Sequence, residues 1–351
     1  MIRATTNGVL AGYRSHLMNS FVTQNKARNT VLTGRNFLSY AEDPAGAAKS
    51  FALRRSFSKV SSQLTVNTNT SRKFDVAWSA LDSVSKLVAT ETTNNSAWKD
   101  IMAGLNGATG SGRAPLGESL KQLADNITQS MNGRYGDNYV FAGADGKNTP
   151  FTWVNTANGR ELHYRGVPVD ATDPSAEFDK LKQFAEEGRF VDIGLGLKED
   201  PQGNLIESSA FNDALQGINY LGYGVDKDGD PKNIVSLINR MGEILSNCDD
   251  DGNWGKPGDR AELERLAGKF KDATANFTES YVKMDTQAEF LKNNETQLKT
   301  TAAMLNEQIV GLENCDPAEA ISTFAWAQYS YNVALKVGNS ILSQSLMDYI
   351  K

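Results

Sequence analysis

The strongest constraint on the fold is a heptad repeat in the C-terminal third of the chain. One apolar residue recurs at every seventh position without interruption. Such a narrow stripe is typical of a helix that packs lengthwise along another helix. At 1.5 Å of rise per residue, about fifty residues in this pattern predict a single helix roughly 75 Å long. The residues of the stripe are Leu263, Phe270, Phe277, Met284, Leu291, Leu298, Leu305 and Leu312.

A second heptad-patterned stretch, in the N-terminal third, offers this helix a partner. Apolar residues from Leu53 to Val88 alternate spacings of four and three. We expect residues 44–92 and 263–312 to lie antiparallel, because the chain must return and each stripe needs a partner. Polar residues at such positions lower stability while fixing the register. We hypothesise this role for the three that interrupt the stripe, Asn67, Ser71 and Ser85.

A helix start opens the second stretch. Residues 41–48 read Ala-Glu-Asp-Pro-Ala-Gly-Ala-Ala. Asp43 is a favourable N-cap because its side chain accepts from free backbone N–H groups, and Pro44 has no N–H to leave unpaired at the first helical position. The same phrase recurs at Asp316 and Pro317. Two helices that begin in the same way therefore bracket the chain.

The two ends of the chain carry weaker apolar stripes of the same kind. Neither can hide its stripe alone, because isolated helices are marginal in water. The stripes either pair with each other within one chain or stay partly exposed until neighbouring subunits cover them. The candidate residues for such an assembly surface are Leu10, Tyr13, Leu17, Val31, Phe324, Tyr331, Leu335 and Leu342.

The middle of the chain has a different texture. We expect a bend over 90–117, then a third helix over 116–131. Aromatic and β-branched residues around the turn 155–159 predict a β-hairpin. Residues 168–203 look irregular apart from a short strand at 190–193, and two helices are predicted over 208–221 and 233–247.

These patterns predict a mainly α fold. The expected architecture is an elongated bundle of long heptad-patterned helices from both chain ends, with an inserted mixed α/β outer domain. The expected divisions are paired terminal helices at 1–42 and 313–351, a long-helix bundle at 43–137 and 259–312, and the outer domain at 138–258.

Charge and composition argue against several classes of function. A net charge of −6 provides no basic surface for phosphate groups, so nucleic-acid binding is not expected. No apolar run approaches the length of about 18 residues that membrane insertion requires. His16 and His163 lie outside any catalytic or metal-binding motif, and Cys248 and Cys315 are expected to be unpaired thiols. We therefore expect no enzyme activity and no cofactor.

Two acidic loops are the candidates for metal binding. Residues 247–252 match the start of a calcium-binding EF-hand loop, but its twelfth position, which needs a bidentate Glu, is Gly258. In the second loop, Asp226 to Asp230, the glycine comes too early for that motif. Asp and Gly are common in surface turns, so we interpret both loops as turns without metal.

Two sets of residues carry a resemblance to the bacterial flagellin superfamily. The helix start at Glu42, Asp43, Pro44, Ala45 and Gly46 resembles the flagellin signature, and residues 318–350 resemble the flagellin C-terminal segment. A second segment is similar to the motif of the hook-associated protein 3 family, the junction proteins between hook and filament. It comprises Asn132, Gly133, Arg134 and Tyr135, followed by Tyr139 to Gly143 with Phe141 and Ala142.

The resemblance implies a structural subunit that is exported by the flagellar type III apparatus to the extracellular flagellum. Its implied partners are other copies of itself, flagellin, another hook-associated protein on the hook side and an export chaperone. One alternative is flagellin itself, the bulk filament subunit. An alternative of another class is a ligand-binding or catalytic outer domain displayed on a flagellar scaffold.

Overall fold

The computed structural model describes residues 6–91, 96–107, 112–157, 159–203, 205–249 and 253–349. The chain divides into two compact units, residues 1–61 with 299–351 and residues 62–298, and the division falls within two long helices. The helices are α1 (Thr6–Thr33), α2 (Pro44–Val88), α3 (Ala97–Asn106), α4 (Arg113–Met131), α5 (Ala176–Glu186), α6 (Gly217–Leu221), α7 (Ile234–Ser246), α8 (Asp259–Glu313) and α9 (Pro317–Tyr349).

The strands are short and form three small antiparallel sheets in the described residues. A mainly α fold with long helices and an inserted region of strands and short helices is therefore confirmed. The strands are β1 (Arg134–Tyr135), β2 (Asn138–Tyr139), β3 (Phe151–Thr156), β4 (Gly159–Tyr164), β5 (Val167–Pro168), β6 (Phe190–Val191) and β7 (Phe211–Asn212).

In unit 62–298, α2 and α8 pack lengthwise in opposite directions. Asn67 Nδ2 donates to the carbonyl oxygen of Leu291 at 2.9 Å, and Thr274 Oγ1 lies 3.4 Å from the carbonyl oxygen of Val88. Since the later position on α2 meets the earlier position on α8, the two helices are antiparallel. All heptad residues of α8 from Leu263 to Leu298 are buried, as the repeat predicts.

The stripe predicted for α2 is wrong by one residue at two places. Trp78 is 39% exposed, whereas Ala77 is fully buried. Ser85 is only half-buried, and Val84 beside it is fully buried. A small Ala in the seam lets the two helices approach closely, and the large Trp ring lies at the edge, where it contacts the Tyr281 ring at 6.4 Å.

The helix pair α4 and α7 packs at close range because glycines face each other. A Cβ on Gly117 would collide with the backbone of Ser246, and one on Gly242 would come within 2.9 Å of the carbonyl oxygen of Gly117. The apolar side chains of both helices join the core of α2 and α8. The third helix, predicted over 116–131, is confirmed as α4.

The inserted region contains both confirmed and wrong predictions. The hairpin is confirmed, with β3 pairing to β4 from Phe151 with Tyr164 up to Thr156 with Gly159. The bend at 90–117 contains helix α3, and the stretch 168–203 contains helix α5, whose N-cap Ser175 accepts from Phe178 N at 3.1 Å. Neither helix was expected.

The helix predicted over 208–221 is wrong in its first half. Phe211–Asn212 is a strand paired with Phe190–Val191, and only Gly217–Leu221 is α-helical. The side chain of Asn212 accepts from the backbone N–H of Arg189, and the Asp213 carboxylate forms an ion pair with the Arg189 guanidinium. These tertiary contacts hold the backbone extended where the local sequence favours a helix.

In the other unit, α1 and α9 run antiparallel. The Phe21 and Tyr331 rings lie 5.8 Å apart, and the side chain of Tyr13 covers Gly338 so closely that a Cβ there would collide with it. Each terminal helix therefore covers part of the other's apolar surface.

A hydrogen-bonded pair of asparagines, one buried and one half-buried, explains one polar residue of the α2 seam. Asn67 is fully buried, and its Oδ1 accepts from Asn294 Nδ2 at 2.9 Å. Asn294 also donates to the carbonyl oxygen of Ile193 at 2.8 Å. The pair therefore joins α2, α8 and the segment after β6, and buried polar groups paired in this way specify a register.

We expect Asn67→Ala to lower the free energy of unfolding by about 2 kcal/mol, because it removes two buried hydrogen bonds and leaves a cavity. Urea unfolding of Asn67→Ala, Asn294→Ala and the double variant measures this. The double variant should lose at least about 0.5 kcal/mol less than the sum of the single variants, because the two residues contact each other. The control is Ser85→Ala, expected within about 0.5 kcal/mol of wild type. Additive single effects would contradict a coupled pair.

Candidate assembly surface

The helix start at residues 42–46 is a closed capping unit. Asp43 Oδ1 accepts from the N–H of Gly46 at 3.0 Å, and Glu42 Oε2 accepts from the N–H of Leu38 at 2.7 Å. A Cβ on Gly46 would collide with the Asp43 carboxylate and meet the Phe37 ring at 3.2 Å. Pro44 begins α2 and Ala45 is exposed. These residues start α2 and hold in place the segment that connects α1 to α2.

In the unit formed by 1–61 and 299–351, backbone hydrogen bonds join the segment between α1 and α2 to the chain around the end of α8. The N–H of Asn36 donates to the carbonyl oxygen of Glu313 at 2.8 Å, and the N–H of Cys315 donates to that of Gly34 at 3.0 Å. Arg54 forms a two-bond ion pair with the buried Glu313 carboxylate, which also accepts from Ser50. These contacts lower the pKa of Glu313 to about 2.

The seam between α1 and α9 consists of small and aromatic residues. On α9 the buried or half-buried residues follow spacings of four and three: Ala320, Phe324, Ala327, Tyr331, Ala334 and Gly338. Of the residues expected from sequence in the α9 stripe, Phe324 and Tyr331 lie in this seam, whereas Leu335 is exposed and Ala334 beside it takes its place. Alanine and glycine occupy the contact because close approach of two helices leaves no room for larger side chains.

The larger apolar residues of the terminal helices point outward instead. Trp326 is 69% exposed, Tyr329 is 63% exposed, and their rings stack edge to face 6.1 Å apart. Most large apolar side chains are buried in folded proteins, and contiguous exposed ones mark interaction surfaces. Other large apolar side chains that are exposed on α1 and α9 lie on more than one side of these helices, and together with Trp326 and Tyr329 we call them the outer face: Met18, Val22, Leu32, Ile321, Val333, Leu335 and Val337.

Of the eight residues proposed from sequence for assembly, the seven whose side chains are described fall into two groups. Six are half-buried: Leu10, Tyr13, Leu17, Val31, Phe324 and Tyr331. Among them, Tyr13 and Tyr331 contact the opposite terminal helix of the same chain. Leu335 is 43% exposed and belongs to the outer face. Leu342 lies in α9, and its side chain is outside the described residues.

The second sequence motif is built into the core of unit 62–298. The Asn132 side chain exchanges two hydrogen bonds with the backbone of Phe151, at 2.8 and 2.9 Å. Phe141 and Ala142 are fully buried, and the Phe141 carbonyl oxygen accepts from the Tyr164 hydroxyl. Gly143 has a φ of +69°, which favours glycine, and its N–H donates to the carbonyl oxygen of Leu215.

The remainder of this motif forms a small turn. Gly133 accepts at its carbonyl oxygen from the N–H of Val140 at 3.0 Å, and Arg134 pairs with Tyr139 across β1 and β2. The Arg134 guanidinium lies 4.8 Å from the centre of the Tyr139 ring, and Tyr135 is half-buried against the core. The motif therefore holds the end of α4 onto the inserted sheet.

The acidic turn at Asp226 to Asp230 is paired with the ammonium group of a lysine from the same chain. Within the described residues, Asp226, Asp228 and Asp230 are the group spaced closely enough to hold a metal ion. Lys269 Nζ lies 2.5, 2.8 and 2.5 Å from their carboxylate oxygens, and Arg265 also pairs with Asp230. Hydrogen bonding to Lys269 lowers the pKa of Asp226 to about 2. Lys269 thus occupies the place of a cation. Of the other acidic loop, Asp251 and Gly252 lie outside the described residues.

One buried carboxyl group gave no signal in the sequence. Asp170, a half-buried residue, follows β5, and its buried Oδ1 has no hydrogen-bond partner among the residues that the structure describes. Burial raises its pKa to about 7, and the charge of Glu161 adds to the rise, while Ser236 and Arg240 oppose it. A single Asp in a loop carries no mark of burial, so only the packing of β4 and α7 around it identifies it.

Among the described residues, no helix combines the length and the hydropathy that crossing a membrane would require.

No family model and no curated protein matches the sequence. Among solved structures, the chain is similar to one described as a flagellar hook-associated protein from Vibrio parahaemolyticus. The TM-score is 0.55 at 16% identity, covering 77% of this chain and 99% of that chain. FlgL from Bacillus cereus gives a TM-score of 0.45 at 14% identity, covering 74% and 99%. Flagellar hook-associated protein-3 from Legionella pneumophila gives 0.49 at 12%, covering 74% and 98%. At such identities the likeness to the Vibrio protein establishes the fold.

We expect Asp170→Asn to stabilise the protein at alkaline pH. Because the pKa is raised from 3.8 to about 7 in the folded state, the cost of burying this group appears as pH rises above about 4 and is complete above about 7. The variant should gain at most about 4 kcal/mol at pH 8 and almost nothing at pH 4, measured by urea unfolding. The control is Asp173→Asn, on an exposed side chain nearby. An equal gain at both pH values would contradict titration of Asp170.

Proposed function

We propose that this protein is a structural subunit of the bacterial flagellum, assembled as a junction layer between hook-side proteins and the flagellin filament. The observation that carries the proposal is the outer face of α1 and α9, where large apolar side chains such as Trp326, Tyr329 and Leu335 remain exposed. The fold likeness to a protein described as hook-associated supports the same interpretation.

The outer face is suited to helix-to-helix contacts with further copies of the chain. Pairing of α1 with α9 uses the residues around Tyr331 and Gly338 and leaves the outer face uncovered. Burying a side chain of the size of Leu or Trp contributes about 1.5–3 kcal/mol, so several such residues would stabilise a stacked layer. Neighbouring subunits would supply the cover that the single chain lacks.

The same proposal specifies where the subunit is located and which proteins it contacts. The subunit would leave the cell through the flagellar export apparatus, with the help of an export chaperone, and would reside in the extracellular flagellum. Its neighbours would be other copies of itself, another hook-associated protein on the hook side and flagellin on the filament side. Its role would be mechanical and not enzymatic.

We expect Leu335→Asp to abolish assembly while leaving the isolated chain stable. Leu335 is 43% exposed, so the carboxylate stays solvated in the monomer but would be stranded without a partner once a neighbour covers it. Cells that carry only this variant should export it, yet lack filaments and lose flagellin to the medium. Electron microscopy of the cells and thermal melting of the purified variant measure the two effects.

The matched control is Asn332→Asp, which adds the same charge at an exposed polar position of α9. Filaments should form normally with this control. Normal filaments with Leu335→Asp would contradict the proposed contact. A large loss of monomer stability would also contradict it, because Leu335 would then belong to the core of the single chain.

We expect immunogold labelling of intact flagella to give one narrow band beside the hook. A junction layer contains few subunits at one position, whereas the alternative, a bulk flagellin, would be labelled along the filament. Native mass spectrometry of the full-length protein addresses the other alternative, an outer domain that binds a ligand, because a retained small molecule would add mass to the chain.

A further inference from the structure

A pocket of about 180 Å³, with charged and aromatic residues in its lining, lies beside the second sequence motif, within unit 62–298. Lys73 and Thr70 of α2 form one wall, and Tyr135 and Tyr139 of strands β1 and β2 form another. Arg189 and Asp213 face each other at one end of the β6 and β7 pair and supply the other charged groups of the lining. The proposed assembly function does not use this pocket.

Among the described residues that line the pocket are two cationic groups, Lys73 and Arg189, and one carboxylate, Asp213. Asp213 binds Arg189 in a two-bond ion pair, with Nε at 2.6 Å and Nη2 at 2.9 Å. The Lys73 ammonium hydrogen-bonds the backbone carbonyl oxygen of Asp213 at 2.5 Å, and the nearest carboxylate oxygen lies 3.9 Å away. The Asp213 carboxylate is thus hydrogen-bonded to Arg189, and its oxygens are farther from the Lys73 ammonium.

Lys73 is an unusual place for a charge, because only 8% of the residue is exposed. A buried ammonium group is costly unless a carboxylate pairs with it directly. Burial lowers the pKa of Lys73 to about 8, an effect that the Asp213 charge partly offsets and the Arg189 charge reinforces. The positive charges of Lys73 and Arg189 therefore exceed the negative charge of Asp213 by one, and the pocket beside them has space for a further anionic group.

We propose that this pocket binds one carboxylate group, held by the Lys73 ammonium with Arg189 beside it. The volume suits a group of a few heavy atoms, such as a small carboxylic acid or the end of an Asp or Glu side chain. A charge-assisted hydrogen bond to Lys73 would supply the negative charge that the pocket lacks. The carboxylate could come from a free acid or from an acidic side chain of a second copy of the chain.

The first test uses sodium acetate as the probe at constant ionic strength, with sodium chloride making up the balance. Acetate should shift the amide NMR signals of residues 69–73 saturably at pH 7. In Lys73→Met, which keeps an unbranched side chain one atom shorter and removes the charge, the affinity should fall at least tenfold. The control is Lys86→Met, an exposed lysine on the same helix, which should bind acetate as wild type does.

A second measurement keeps the proposal testable if Lys73→Met folds poorly. Acetate affinity of the wild-type protein should fall about tenfold for each unit of pH above the Lys73 pKa, since only the protonated amine attracts a carboxylate. A Lys73 that serves only to fill the core would give no such dependence. Absence of saturable shifts, or a pH-independent affinity, would overturn the proposal.

The source of the carboxylate is separated by carbodiimide coupling, which joins a carboxylate to a nearby amine. Added acetate should acetylate Lys73 if the pocket takes free acids. If a second copy provides the group, peptide mass spectrometry of concentrated protein without acetate should find Lys73 joined to an Asp or Glu of another chain. Mixing isotopically light and heavy protein distinguishes such links from links within one chain. Lys73 left unmodified under both conditions would contradict the proposal.

Discussion

The lengthwise contact between α2 and α8 is the constraint on which unit 62–298 depends. Heptad residues of α8 such as Phe270 and Phe277 are fully buried, and they form one core with Phe74 and Leu81 of α2. Helices α4 and α7 add their apolar faces to that core, and the inserted sheet follows them through Asn132 and Phe141. A shift of one residue in the seam would displace every later layer, so the register has to be fixed at the seam itself.

Apolar spacing alone cannot fix that register, because similar side chains recur every seven residues. The paired side chains of Asn67 and Asn294 are directional, and they bond to backbone oxygens as well as to each other. A slipped register would leave the fully buried amide of Asn67 without its partners, and an unpaired buried group costs about 1–3 kcal/mol. The polar interruption of the stripe is therefore part of what specifies the fold.

Sequence predicts the long helices well because their evidence is local and repeated. The start of α2 at Pro44 and the burial of α8 from Leu263 to Leu298 both follow from spacing and capping. The choice between Ala77 and Trp78 does not, since a hydropathy pattern favours the larger residue while close helix packing favours the smaller. The same conflict recurs at Ala334 and Leu335 in α9. In both helices the large residue is left outside, and in α9 this creates the outer face.

Polar sites are harder to predict from sequence, because burial, and not residue type, gives them their properties. Three carboxylates surround Lys269 directly, whereas the described ion pairs of Lys73 comprise one distant contact with Asp213, which Arg189 already engages. Their pKa shifts go in opposite directions for this reason. The Lys269 ammonium is neutralised by the carboxylates of the acidic turn and holds that turn in place. Around Lys73 the positive charges exceed the negative charge by one, and in our proposal a carboxylate from outside the chain binds there and balances it.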